Sequence, residues 1–128
     1  FEYHYRPTGE ALRKIYSSCG TFLCSSWFEG LGMPAMEAMM CGTALVTTDT
    51  GGSRDYASNE ETALVSSPKN PDALAKNLIR VLKDNSLRLN LAEKGFQRIK
   101  NFSWDSNCEF LIKRFEDSLN KKNGTKDF

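Results

Sequence analysis

Histidine occurs once, at His4, and the four cysteines, Cys19, Cys24, Cys41 and Cys108, show no C-x-x-C spacing. A zinc site of the common Cys/His kind and a disulfide framework are therefore not expected, and the thiols are read as buried groups in a reducing compartment. Proline, at four of 128 residues, is sparse and glycine, at nine, only ordinary, and no repeat or low-complexity tract interrupts the chain. This excludes collagen-like and disordered classes. No run approaches the roughly 20 apolar residues that a membrane-spanning helix requires. Charge of one sign is also lacking: 17 Lys and Arg against 16 Asp and Glu leave +1, so no global field favours nucleic acid or an anionic membrane. No Asp-x-Asp pair is present, Asp49 and Asp55 form no recognisable cluster, and no metal ion is expected. The opening Phe1-Glu2-Tyr3-His4 does not read as a signal peptide, and the chain is expected to be part of something longer. The sequons Asn101-Phe102-Ser103 and Asn123-Gly124-Thr125 matter only in a secreted protein.

What is present, 40% hydrophobic and 26% charged residues, suits one globular domain. Residues 1–5 are short, aromatic and partly alternating, which predicts a strand. Thr8 and Glu10 mark a helix start, and Leu12, Ile15 and Tyr16 give that helix an apolar face. Residues 21–24 and 43–48 read as strands buried on both sides, and 63–66 as a third, weaker one. Between the first two, residues 25–33 form a loop. Pro34 then opens a helix over 34–41, closed by Gly42. Asp49-Thr50-Gly51-Gly52-Ser53 is a turn. Downstream, Asn70 caps a helix whose Leu74, Leu78, Val81 and Leu82 share a face. A second helix spans 86–100 despite Gly95, which costs roughly 1 kcal/mol relative to Ala. Ser103 caps a third, whose Trp104, Cys108, Leu111, Ile112, Phe115 and Leu119 lie on one side, with Trp104 expected in the core. Residues 1–119 are thus the folded part and 120–128 a polar tail that frays.

Strands alternating with helices predict an α/β fold, an open Rossmann-like parallel sheet flanked by helices. In such sheets ligands bind beyond the carboxyl ends of the strands, which places the loops at Ser25 and Asp49 on one functional edge. The informative stretch is Glu29-Gly30-Leu31-Gly32-Met33-Pro34-Ala35-Met36-Glu37. A glycine-bearing loop feeding a helix N-terminus offers amides and a partial positive charge to an anion. Glu29 before the helix and Glu37 one turn inside it can face one extended ligand, and a carboxylate can accept two hydrogen bonds from a sugar diol. The same residues are also compatible with a solvated helix glutamate, an N-terminal charge and two turn glycines.

These residues carry a family resemblance. Glu29, seven residues and Glu37, followed by Ala-Met-Met-Cys-Gly-Thr, then Thr48-Asp49-Thr50-Gly51-Gly52, Ala63-Leu64-Val65, Asn70-Pro71-Asp72-Ala73-Leu74-Ala75 and Phe102-Ser103-Trp104, resemble the C-terminal part of a group 1 retaining nucleotide-sugar glycosyltransferase. Such an enzyme has two Rossmann-like lobes facing across a cleft. The chain departs from the pattern at Ala44, where proline is usual, and over 58–62, which lack a usual glycine. The resemblance implies that Glu37 binds the nucleotide ribose, while Glu29, the catalytic candidate, and the amides of Gly30, Leu31, Gly32 and Met33 face the donor sugar and diphosphate. Gly51 and Gly52 shape the neighbouring loop or simply form its turn. His4, Arg13 and Lys14 match no motif that would replace the basic groups expected upstream.

The implied activity of the parent enzyme is transfer of a glycosyl group, with retention, from a UDP-sugar, GDP-sugar or similar donor to a hydroxyl-bearing carbohydrate or lipid. No other cofactor is implied. Activated-sugar chemistry implies a cytoplasmic setting, with any peripheral membrane attachment supplied by regions outside this chain. The lobe would be incomplete. Residues 1–5 would be the third strand of a 3-2-1-4-5-6 sheet lacking its normal neighbours, and the edge of 21–24 would be exposed, inviting an oligomer of the fragment. The N-terminal lobe would be a further partner, and the chain alone would be inactive. A noncatalytic nucleotide-binding or assembly module is the alternative, and a nucleotide-sugar epimerase or a purely structural fragment are others.

Overall fold

A computed structural model describes residues 1–123. Its order is α1 (Gly9–Ser18), β1 (Thr21–Cys24), α2 (Met33–Met40), β2 (Ala44–Thr48), a 3₁₀ turn (Gly52–Asp55), β3 (Ala63–Ser66), α3 (Pro71–Lys83), α4 (Asn85–Ile99) and α5 (Trp104–Asn123). The three strands form one parallel sheet in the order β1-β2-β3, with Thr21 opposite Ala44 and Leu45 opposite Ala63.

β2 is central and every residue in it is buried. Because successive side chains of a strand point to opposite faces, Leu45 enters one cluster with Ala35, Met39, Tyr56, Ala63 and Ile99. Ala44 and Val46 enter the other, with Leu64, Leu74, Val81 and Leu91. α2 closes the first face, α3 the second, and α4 contributes to both. This explains the continuous apolar reading of β2.

The helix starts are chemically specified. Asn70 Oδ1 accepts the Ala73 N–H at 3.0 Å, and Asp84 Oδ1 accepts that of Leu87 at 2.9 Å. Ser103 Oγ accepts that of Ser106 at 3.1 Å, each satisfying an orphan amide. Thr8 occupies the cap position of α1 but its side chain makes no capping bond. The 58–62 connection works without glycine because Glu60 itself takes a left-handed φ of 62°. Its carboxylate receives both Arg80 guanidinium nitrogens, at 2.6 and 2.9 Å, and this pairing holds the Glu60 carboxyl below its usual range.

Several expectations are corrected. Residues 1–5 form no strand, and Phe1, Tyr3 and Tyr5 are exposed. Among the described residues no strand pairs with the outer edge of β1, so this segment has no ladder to join. None of the cysteines is buried: Cys19 and Cys108 are exposed, and Cys24 and Cys41 half-buried. Trp104 is 84% exposed rather than core, and Leu111, Ile112, Phe115 and Leu119 are exposed with it. The helical period of α5 is real, but nothing among the described residues covers that face. α5 is described through Asn123, and residues 124–128 of the tail lie outside the described residues. No described helix is long and apolar enough to cross a membrane.

The central position of β2 predicts that Leu45→Ala, which empties a fully buried site, lowers stability by about 2–5 kcal/mol, read as an earlier urea-unfolding midpoint with an unchanged slope.

Candidate functional site

The loops leaving β1 and β2 meet at the carboxyl edge of the sheet. Thr48 Oγ1 donates to the Ser26 carbonyl, and the Glu29 N–H donates to the Thr50 carbonyl at 3.1 Å. Glu29 and Gly51 thereby form an isolated parallel bridge. The approach is close enough to dictate residue type. A Cβ at Gly52 would lie 2.0 Å from the Gly30 oxygen and 2.6 Å from its carbonyl carbon, so no side chain fits there.

The second loop is braced from within. The Thr50 N–H donates to Ser53 Oγ at 3.1 Å and the Ser53 N–H to Thr50 Oγ1 at 3.3 Å, with both residues buried. Asp49 accepts the Gly51 N–H at 3.2 Å and pairs with Arg54 at 2.8 Å. The Arg54 hydrogen bonds, helped by the Gly51 amide, hold the Asp49 carboxyl below its usual range. Asp49 is thus engaged within its own turn.

Gly32 caps α2 in the left-handed region, at φ 81° and ψ 51°. Its carbonyl accepts the Ala35 and Met36 N–H groups, at 3.0 and 3.4 Å, and the Tyr56 hydroxyl at 3.3 Å. A side chain at Gly32 would also meet that hydroxyl, since a Cβ would lie 2.7 Å from it. Tyr56 is 2% exposed. Its burial first, then the proximity of Cys24, Glu29 and Asp55, pushes its phenol up to about 12. Among the described residues, no group accepts the N–H of Gly30, Leu31, Gly32 or Met33. Four neighbouring donors therefore stand at the positive end of α2.

The two glutamates are each tied by one hydroxyl. Ser26 Oγ donates to Glu29 Oε1 at 2.7 Å, and Glu29 is half-buried beside a cavity of about 320 Å³ bordered by Cys24, Ser26, Gly32 and Pro34. Glu37 is exposed on α2, where the Tyr16 hydroxyl of α1 donates to Oε2 at 3.4 Å. Tyr16 is itself fixed edge-on against Phe22, with ring centroids 5.7 Å apart. Burial first, then the Glu37 charge, raises its phenol pKa. Glu37 borders one cavity between α1 and α2 and another between α2 and the start of α5. The carboxylates thus share the α2 end of the sheet but open onto separate cavities.

Sequence reasoning singled out Glu29, Glu37 and the glycine loop as candidates but not the hydroxyls that bond the two carboxylates. Ser26, three residues before Glu29, was detectable as a short polar neighbour. Tyr16 and Tyr56 were not, because each reaches its partner across more than 20 residues of chain.

The family model of glycosyl transferases group 1 matches residues 3–98. O-antigen chain mannosyltransferase B of Escherichia coli is 32% identical over 99 residues, which cover 77% of this chain and 25% of that protein. A D-inositol 3-phosphate glycosyltransferase of Salinispora arenicola is 29% identical over 112 residues, 88% of this chain and 25% of that protein. The chain therefore spans about a quarter of the length of these relatives. A crystal structure of the C-terminal domain of a glycosyl transferase group 1 family protein from Francisella tularensis shares the fold, with a TM-score of 0.70 and 24% identity, over 77% of this chain and 51% of that one.

Two outcomes test the site's construction. Gly52→Ala forces the two loops apart, so it should cost about 1–3 kcal/mol and shift the amide resonances of residues 26–31. For Tyr56, the unfolded phenol ionises near pH 10 whereas the folded one holds its proton up to about 12. Stability should fall as pH rises through that window, because the folded state binds more protons. Urea unfolding at stepped pH values should show this slope, and Tyr56→Phe should flatten it.

Proposed function

Because this chain belongs to the group 1 glycosyl transferases, we propose that it is the donor-binding part of a two-lobed enzyme that transfers a glycosyl group, with retention, from a nucleotide sugar to a hydroxyl. The observation that carries this reading is the gathering of four undonated amides, at residues 30–33, between two tethered carboxylates at the α2 end of the sheet.

Each group has a chemical task in this reading. Glu37 accepts hydrogen bonds from the ribose diol, and the Tyr16 bond to Oε2 turns the carboxylate toward α1. The amides of Gly30, Leu31, Gly32 and Met33, with the partial charge of the helix, receive the diphosphate. As the sugar–phosphate bond breaks, negative charge grows on that diphosphate, and donors already aimed at it stabilise the transition state more than the ground state. Glu29, held by Ser26, faces the donor sugar and is the residue nearest the chemistry. Basic groups from outside this chain complete the neutralisation. The acceptor, a hydroxyl-bearing carbohydrate or lipid, is held mainly by the part of the enzyme beyond these residues, so the chain alone binds donor without turning it over.

The relatives' names are compatible with this division: one is a mannosyltransferase and another a glycosyltransferase of D-inositol 3-phosphate. They differ in what they act on while matching this chain over most of its length.

Titration of the ¹⁵N-labelled chain with UDP, GDP and ADP and their sugar conjugates tests the reading. One nucleotide should shift the amides of residues 29–38 selectively. Glu37→Ala should weaken it by about 1.5–3 kcal/mol, the loss of hydrogen bonds to a charged group. A folded chain that shows no shifts, or a Glu37→Ala variant of unchanged affinity, would contradict it.

A further inference from the structure

A second recess on the same edge is left unused by the donor reading. It measures about 380 Å³ and is bordered by Ser25, Trp27, Thr48, Lys69, Pro71 and Leu74. Trp27 is 65% exposed although it sits between two anchored residues. On one side Ser26 accepts from Thr48, and on the other Glu29 is bonded to Thr50. The indole is therefore an apolar plate facing solvent from an anchored loop, which burial in the core does not explain. The Lys69 ammonium lies 5.0 Å from the centre of that ring, an attraction of cation for aromatic face. Lys69 makes no ion pair among the described residues. It also holds a left-handed φ of 61° in the turn into α3, a conformation uncommon for lysine.

We propose that this recess is a subsite for a sugar carrying an anionic group, in which Trp27 packs against the sugar ring and Lys69 binds a phosphate or carboxylate on it. The Trp27 face turned away from the ammonium accepts the C–H side of a pyranose, and the ammonium over the other face fixes where the negative group must lie. The Ser25 hydroxyl, exposed at the rim, supplies a donor and acceptor for ring hydroxyls. Trp27 stands two residues before Glu29, so a saccharide here lies beside the donor position and its anionic group points away from it, toward α3. The proposal rests on the reading that this sheet edge handles saccharides, not on the nucleotide contacts of Glu37.

The test exploits the two tryptophans of the chain. Trp104→Phe, at an exposed position, leaves Trp27 as the only indole, and its fluorescence is titrated with glucose 6-phosphate, glucuronate, glucose and inorganic phosphate. At least one anionic sugar should bind saturably and at least tenfold more tightly than glucose and inorganic phosphate. Lys69→Gln should weaken that binding about tenfold or more, and Lys69→Arg should retain most of it. Equal responses to all four compounds, or an affinity indifferent to Lys69→Gln, would overturn the proposal. Both substitutions are at an exposed residue, so amide spectra of the variants verify the fold. A parallel nucleotide titration separates the two readings: nucleotide binding without an anionic-sugar response overturns only the subsite, and the reverse overturns only the donor reading.

Discussion

No side chain can stand at position 52, and the geometry of the whole carboxyl edge of the sheet depends on that constraint. With a hydrogen in place of Cβ, the turn after β2 slides under the loop after β1 until the Gly30 carbonyl lies against the Gly52 α-carbon. At that separation the Glu29 amide reaches Thr50 and the Thr48 hydroxyl reaches Ser26. The loop carrying Glu29 and the open amides is consequently pinned to the central strand. It is an extension of the sheet by one isolated bridge rather than a free connection. Ligand groups presented from such a platform need little ordering on binding, which is where much of the cost of recognition otherwise falls.

The platform inherits its rigidity from β2. That strand is buried along its whole length, with helices on both faces. Its last residue, Thr48, is also the one that grips the neighbouring loop. Tyr56 extends the same principle from the far side of the turn, with its ring in the core cluster and its hydroxyl on the Gly32 carbonyl at the start of α2. Packing and site are therefore continuous: the residues that exclude water from the core also aim the backbone donors. The periphery behaves differently. Residues 1–5 and the apolar face of α5 carry large exposed side chains.

Much of this was legible in the sequence, for local reasons. β1, β2 and β3 were visible as short apolar runs bounded by turn residues, and α3 by its spacing and its Asn70 cap. Asn70 and Ser103 cap as their positions suggest. Glu29, Glu37 and the intervening glycines were visible because they lie within nine residues. What failed was long-range. An aromatic alternating segment reads as a strand whether or not a partner edge exists, so residues 1–5 misled. A helical stripe reads as core whether or not anything covers it, which misplaced Trp104. The half-buried and exposed cysteines were misjudged by composition alone. The bonds from Tyr16 to Glu37 and from Tyr56 to Gly32 left no trace in spacing, since they exist only once α1 and the 3₁₀ turn have docked.

The central claim is that the loop is held by the sheet before any ligand arrives, and amide hydrogen exchange of the free chain tests it most directly. If the claim is right, the Glu29 N–H, bonded to Thr50, should be protected to within about tenfold of the amides of β2, because it opens only with that strand. The neighbouring amides of Gly30 and Leu31 should exchange freely. A Glu29 amide that exchanges as fast as theirs would show that the loop is unanchored, and would contradict the account.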